Sequence, residues 1–253
     1  MHIGTGIFLL PFQNPIDIAE QFATLDVLTD GRLILGFGLG HRAEESLAFG
    51  FDQREAASGY TEILTIMKML WTQEVVSYKG QFFTIKDASL KLRPLQRPMP
   101  PIWLGADLEP GVRRAARHAD SWFPSPRPPP QRLAQLIEIY HAELRKRNRS
   151  VPTVFPIQRE LYLAGSHEEA VRQARDFASW HQEHTGDTRT SEVNTDRFIL
   201  GSPRECVEAI RRYVEDFGIG HLVFMIQWPG LSHEKALETI SLIGRELVPE
   251  FRK

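Results

Sequence analysis

The sequence predicts an α/β fold in which a parallel β-sheet is covered by helices. Short apolar runs alternate with amphipathic segments along the whole chain, and two helices carry explicit start signals directly after a strand. This order fits either a closed barrel or an open, doubly wound sheet, and periodicity alone does not choose between them. At 253 residues the chain has the length of an α/β barrel, so a single domain over 1–253 is expected.

The first half of the chain contains the clearest helix and an inserted hairpin. Ile63, Ile66, Met67, Leu70 and Trp71 recur at helical spacing and predict a core-facing helix over 58–72. Apolar runs on both sides of Lys79-Gly80 predict a β-hairpin insertion at about 74–86. The other predicted elements are a strand over 3–10, a helix from 15 to 31, and a strand over 32–37.

The second half repeats the strand-then-helix order. Capping boxes of the S-x-x-E type begin at Ser166 and Ser202, and Pro203 occupies the favoured first helical position. The predicted strands cover 102–105, 121–124, 161–165, 198–201 and 221–226, and the predicted helices cover 111–118, 131–147, the segments after 166 and 202, and about 236–247.

A run of alternating glycines, Gly36, Gly38 and Gly40, ends the second predicted strand. Glycine lacks a Cβ, so such a strand end can turn sharply and let a flat ring or a phosphate lie against the peptide. The spacing is not that of the dinucleotide fingerprint G-x-G-x-x-G. From the glycines alone, a ligand-facing strand end and a tight turn both remain open.

Composition limits the partners and the compartment. With 30 Lys and Arg against 32 Asp and Glu, the formal charge of −2 gives no reason to expect nucleic acid or an acidic membrane as a partner. Cys206 is the only cysteine, which excludes an intramolecular disulfide and fits a reducing, cytoplasmic location. No 18-residue apolar run is present, so no membrane span is expected. His181 and His184 lack further ligands nearby, so no metal site is predicted.

An ordered set of short motifs resembles a known family. The motifs are Ile3-Gly4-Thr5-Gly6-Ile7, Asn14-Pro15, residues 23–32 (ATLDVLTDGR), 35–40 (LGFGLG), 70–72, 80–83, 101–105 (PIWLG) and 113–122 (RRAARHADSW). Together they resemble the bacterial luciferase-like family of flavin-dependent oxidoreductases, which includes FMN-dependent monooxygenases and F420-dependent dehydrogenases. The resemblance implies a TIM-type (β/α)8 barrel with the flavin at the carboxyl ends of the strands.

One departure from this family concerns the beginning of the chain. Family members usually place two further barrel strands before the segment that begins here at His2, and six barrel strands are counted in this sequence. We therefore expect an N-terminally shortened barrel with an open edge beside the first strand. An open edge exposes apolar surface and favours association into a homodimer or a higher homo-oligomer.

The resemblance also implies positions for the cofactor. The ring would lie against Thr5, Gly6 and Ile7, where the family has a bulged and sometimes cis peptide, and beside Gly38. A plain edge strand is the alternative. Residues for the phosphate would follow two later strands: Gly105, Ala106, Ser125 and Arg127. A surface arginine without a ligand is the alternative for Arg127.

Two residues after the glycine run are candidates for acid–base chemistry, and a polar segment is a candidate lid. His41 and Glu44 lie where related deazaflavin enzymes often carry Glu and Asn, and an imidazole titrates near neutrality. A solvated helix start is the alternative for this segment. Residues 184–196 resemble the family's mobile lid loop, which would exclude water from the reduced flavin.

The leading hypothesis is a monooxygenase that uses reduced FMN and O₂, with NAD(P)H supplied through a reductase. The alternatives are an F420-dependent dehydrogenase or reductase, and a catalytically silent shortened homologue. A small-molecule substrate is expected in the first two cases. A barrel hydrolase is disfavoured because no pair of carboxylates or metal ligands stands at the strand ends.

Overall fold

A computed structural model describes residues 1–40, 42–50, 52, 55–185, 198–227 and 231–252. The chain divides into two compact units. Unit 1 comprises Met1–Ala106 and Arg114–Trp122, and unit 2 comprises Asp107–Arg113 and Phe123–Lys253. The single domain expected over 1–253 stays a prediction.

The strands and helices follow the predicted order, with shifts of a few residues at most boundaries. Up to the seventh strand they are β1 Ile3–Gly4, β2 Phe8–Leu9, a 3₁₀ turn Leu10–Phe12, α1 Pro15–Leu28, β3 Leu33–Gly38, α2 Ala43–Ala48, α3 Ala56–Thr72, β4 Val76–Lys79, β5 Thr84–Ala88, β6 Ile102–Gly105, α4 Glu109–His118 and β7 Ser121–Phe123. They continue with α5 Pro130–Arg145, β8 Pro156–Leu163, α6 His167–Thr185, β9 Phe198–Gly201, α7 Pro203–Phe217, β10 His221–Met225, α8 His233–Leu242, a π-helical turn Ile243–Leu247 and α9 Val248–Phe251.

The first sheet has the order β1-β3-β6-β7, and β2 also pairs with β3. The pairs β1–β3, β2–β3 and β3–β6 are parallel, with Ile3 opposite Leu33 and Leu35 opposite Ile102. The strand predicted over 3–10 is therefore two short strands that flank residues 5–7. Within the part of the chain that the structure describes, β1 has no other strand partner, and its Ile3 is 48% exposed. This agrees with the open edge predicted beside the first strand.

Helices α1 and α3 pack together in unit 1. The predicted apolar stripe of α3 is buried, and the indole Nε1 of Trp71 donates to the backbone oxygen of Ala19 at 3.0 Å. The buried carboxylate of Asp26, on α1, accepts from the backbone N–H of Gln96 at 2.9 Å and from its side-chain amide at 2.7 Å. These bonds fix the loop that leads into β6.

The predicted hairpin is present as the antiparallel pair β4–β5. Its turn is held by one side chain of α3, because the carboxylate of Glu62 accepts from the backbone N–H groups of Gln81, Phe82 and Phe83 at 2.7, 3.2 and 3.2 Å. A Cβ on Gly80 would collide with this carboxylate, so glycine leaves room for Glu62 in its present position.

The second sheet has the order β10-β8-β9, and both of its pairs are parallel. Strand β8 begins at Pro156, five residues before the predicted start at Leu161. Arg159 and Glu160 look like surface residues in the sequence, but both are fully buried. The predicted capping box at Ser202 is present at the start of α7, and Ser166 accepts from the backbone N–H of Glu169 at 3.2 Å.

Every helix among the described residues is too short or too polar to span a membrane. The same residues contain no group of three metal-ligating side chains.

Candidate active site

The strand ends of unit 1 are shaped by an interruption between β1 and β2. The side chain of Thr5 makes the two hydrogen bonds to Gly36 that the backbone of a paired strand would otherwise make. Its hydroxyl donates to the carbonyl oxygen of Gly36 at 2.8 Å and accepts from the Gly36 N–H at 2.9 Å. The next peptide bond but one, between Gly6 and Ile7, is cis. Thus the bulged, cis peptide implied by the resemblance lies at the expected residues.

The first two glycines of the run make room for this interruption. A Cβ on Gly36 would collide with the carbonyl oxygen of Thr5, and a Cβ on Gly38 would collide with the Ile7 side chain. The space in front of both glycines is therefore filled by the chain's own atoms. The missing side chains of Gly36 and Gly38 therefore admit Thr5 and Ile7, and contact between Gly38 and a cofactor stays a prediction.

Ile7 forms an apolar surface at the strand ends. A Cβ on Gly105 would lie 3.2 Å from the Cδ1 of Ile7, so this side chain sits against both Gly38 and Gly105, and Ile7 is still 41% exposed. We call Ile7, Gly38 and Gly105 the strand-end platform. Exposed isoleucine at the carboxyl end of parallel strands is suited to contact a flat apolar ring.

The segment after β3 carries the acid–base candidates. Gly40 has a φ of +83°, a backbone conformation that favours glycine, and a Cβ there would be in van der Waals contact with the Phe12 ring at 3.6 Å. Phe12 stacks on Phe49 with ring centroids 4.7 Å apart, a contact that the sequence reading did not foresee. Glu44 is exposed in the first turn of α2. His41 lies outside the described residues.

The end of β6 and the tryptophans serve the core of unit 1. The carbonyl oxygen of Ala106 accepts from the indole Nε1 of Trp122 at 2.8 Å. Trp122 and Trp103 are both buried, which makes them core residues. Most of the predicted lid at 184–196 lies outside the described residues.

The phosphate candidates of unit 2 surround a carboxylate. The Ser125 hydroxyl donates to Oδ2 of Asp107 at 2.7 Å, and the Ser125 N–H donates to Oδ1 at 3.2 Å. The same hydroxyl accepts from the backbone N–H of Arg127 at 3.2 Å, and the Arg127 side chain is exposed. Asp107 was missed in the sequence, because one carboxylate after a strand carries no spacing signal.

A buried arginine supports this loop from the other side. Nε of Arg159 donates to the Tyr213 hydroxyl at 2.8 Å, and Nη1 donates to the Gln158 carbonyl at 2.7 Å and to the Ser125 carbonyl at 3.4 Å. Its guanidinium also lies over the Tyr213 ring, 4.7 Å from the centroid. A fully buried cation of this kind fixes the strand β8 and the backbone of Ser125.

The residues fit a flavin-type group in part. The strand-end platform offers an exposed apolar surface to a ring. The loop at Ser125 does not fit a phosphate in this arrangement, because its hydroxyl proton is already donated to a carboxylate.

Comparison with known proteins establishes the class. The sequence profile of the luciferase-like monooxygenase family matches residues 1–220, so the chain belongs to that family. Two solved structures share the fold over the whole chain. They are monooxygenase RslO1 from Streptomyces bottropensis (TM-score 0.90, 22% identity, 79% of that chain) and an F420-dependent secondary alcohol dehydrogenase (TM-score 0.78, 19% identity, 80% of that chain).

Two relatives are closer in sequence. An F420-dependent glucose-6-phosphate dehydrogenase of Microbacterium testaceum is 31% identical over 99% of this chain and 78% of its own length. A phthiodiolone/phenolphthiodiolone dimycocerosates ketoreductase of a Mycobacterium species is 31% identical over 70% of this chain and 47% of its own length. The predicted family, the TIM-type barrel class and the oxidoreductase class are thereby confirmed.

Proposed function

We propose that the protein is an F420-dependent oxidoreductase that interconverts an alcohol and a carbonyl compound. The observation that carries this proposal is the 31% identity to an F420-dependent dehydrogenase over 99% of the chain. The second relative, a ketoreductase by name, belongs to the same reaction class, since both reactions exchange C–OH and C=O. Reduced FMN is the cofactor expected from the sequence motifs, whereas the identity to the dehydrogenase favours F420.

The strand-end platform is the proposed support for the ring. The hydrogen bond from Thr5 to Gly36 fixes the backbone two residues before Ile7. Gly38 and Gly105 leave the space that the Ile7 side chain occupies. A bound deazaflavin supplies a hydride acceptor or donor. The protein's own tasks are then to present an apolar surface, to exclude water and to move one proton.

His41 and Glu44 are the proposed acid–base groups. When an alcohol is oxidised, its carbon loses a hydride and its hydroxyl loses a proton, so a neutral imidazole is a suitable acceptor near neutral pH. We expect H41N to lower kcat by about 100-fold, the usual contribution of one general base, and E44Q to lower it less because Glu44 is exposed.

The second candidate function is oxygenation by reduced FMN and O₂, the reaction that the family name describes. One experiment separates the two. The purified chain is supplied with F420 and either glucose 6-phosphate or 2-propanol, and the loss of oxidised F420 absorbance is recorded. In parallel, O₂ consumption is measured with reduced FMN. Substrate-dependent F420 reduction supports the proposal, whereas substrate-dependent O₂ consumption with FMN alone supports the second candidate.

A further inference from the structure

Ser125 lies in the loop after β7, where the resemblance implies a phosphate, and it is hydrogen-bonded to the carboxylate of Asp107, which follows β6. Both oxygens of Asp107 accept from Ser125, one from its hydroxyl and one from its backbone N–H. The hydroxyl in turn accepts from the Arg127 N–H. A hydroxyl has one proton to donate, and here that proton is committed to a short, charge-assisted bond.

A phosphate monoester would have to break this bond. Its oxygens are acceptors, so Ser125 would have to turn its proton away from Asp107. The carboxylate would then be left without that donor and a few ångströms from a dianion. Like charges at such a distance repel each other strongly in a partly buried site, and Asp107 is half-buried.

Two arginines of unit 2 are paired with groups other than Asp107. Arg113 pairs with Glu109 at 2.6 Å and with Glu143 at 3.2 Å. Arg159 is fully buried and donates to the Ser125 carbonyl and to the Tyr213 hydroxyl, while its Nη2 has no hydrogen-bond partner among the described residues. The Arg127 side chain is exposed, where solvent screens its charge.

We propose that Asp107 is a specificity-determining residue that makes the Asp107–Ser125 pair select an uncharged, hydroxyl-bearing group over a phosphate monoester. Each carboxylate oxygen keeps a lone pair that can accept from a ligand O–H, as from the ribityl chain of riboflavin. The proposal rests on the proposed function, because a flavin-type cofactor is the ligand that it concerns.

The substitution Asp107→Asn removes the charge. Asparagine keeps one acceptor oxygen for the Ser125 N–H, and its NH2 group replaces the oxygen that accepted from the hydroxyl, so the Ser125 proton becomes available to a ligand. FMN and riboflavin differ only by the phosphate, and both are titrated against the full chain by quenching of flavin fluorescence. The matched control is E109Q, which removes a nearby charge that is already paired with Arg113.

We expect the wild-type chain to bind FMN no more tightly than riboflavin. In D107N the preference for FMN over riboflavin should rise by about tenfold or more, with riboflavin affinity unchanged, while E109Q should keep the wild-type ratio. A wild-type preference for FMN as large as that of D107N would overturn the proposal, as would equal changes for both flavins.

A second measurement tests whether the Asp107 charge excludes phosphate from this loop, even when no flavin binds. Inorganic phosphate is titrated while the amide resonances of Ser125 and Arg127 are followed by NMR. Phosphate should shift these resonances in D107N and leave them in place in the wild-type chain. Equal shifts in both proteins would refute the specificity role, whereas failure of FMN, riboflavin and F420 to bind would refute only the proposed function.

Discussion

At the scale of single residues, hydroxyl and carboxylate side chains complete hydrogen bonds that the backbone leaves open. Thr5 bridges both backbone groups of Gly36 at the point where β1 leaves the ladder. Asp26 and Glu62 bind loop N–H groups in the same manner. None of these partnerships has a sequence signal, because the two partners of each lie 19 to 70 residues apart.

The role of Thr5 is tested by Thr5→Val, which keeps the side-chain shape and removes both bonds to Gly36. We expect the free energy of unfolding to fall by about 2 kcal/mol, since each lost bond contributes about 1 kcal/mol. Urea denaturation measures the change, and T5S serves as the control that keeps the hydroxyl. A T5V variant as stable as the wild type would show that the bridge is not needed.

The buried thiol of Cys206 predicts a pH dependence of stability. Burial raises the pKa of this thiol from 9.0 to about 12. Below pH 9 the thiol is neutral in both states, whereas between pH 9 and 12 only the unfolded chain releases the proton. The contribution to stability is therefore complete below pH 9 and is lost as the pH rises towards 12.

Urea denaturation of the wild type and of C206A at pH 8, 9 and 10 measures this loss. The wild-type free energy of unfolding should fall more steeply above pH 9 than that of C206A, approaching a difference of about 1.4 kcal/mol per pH unit. The small cavity in C206A lowers its stability at every pH and does not affect the slope. Parallel curves would contradict the burial of a neutral thiol.

At the scale of the elements, helices and their caps could be predicted from the sequence, but the first and last residues of the strands could not. The stripe of α3 and the capping box at Ser202 depend on local spacing, which the sequence displays directly. Strand β8 was predicted five residues short because Arg159 and Glu160 interrupt its apolar run. Burial of Arg159 depends on Tyr213 of α7, a partner 54 residues away.

The hairpin β4–β5 depends on Glu62, and Glu62→Gln tests this dependence. Glutamine has one acceptor oxygen in place of two and no charge, so it cannot bind all three turn N–H groups as strongly. We expect amide hydrogen exchange at Gln81, Phe82 and Phe83 to accelerate by about tenfold, equivalent to about 1.4 kcal/mol of local opening. The control E20Q changes an exposed glutamate of α1 and should leave these amides unchanged.

At the scale of the whole molecule, the family and the barrel class could be predicted because the motifs occur in order along nearly the full chain. The cofactor could not, because a monooxygenase that binds FMN and an F420-dependent alcohol dehydrogenase share this fold. The charge of Asp107 beside Ser125 is a property of this chain that only the three-dimensional arrangement brings out.

Self-association is the prediction that belongs to this scale. Strand β1 has only β3 as a strand partner in the described residues, and Ile3 is 48% exposed on it. We expect the chain to form dimers or larger oligomers in sedimentation velocity, and I3K to shift the distribution towards the monomer, because an edge lysine opposes strand pairing. A wild-type chain that is monomeric at micromolar concentration would contradict this expectation.

The central claim is that the strand-end platform binds a flavin-type ring, and an equilibrium titration with F420 and FMN tests it most directly. Three proteins are compared: the wild type, I7N and I3N, whose two isoleucines are similarly exposed in unit 1. The account predicts that the wild type and I3N bind F420 alike, while I7N binds about tenfold more weakly because the ring loses an apolar contact. Failure of the wild type to bind either F420 or FMN, or equal binding by wild type and I7N, would contradict it.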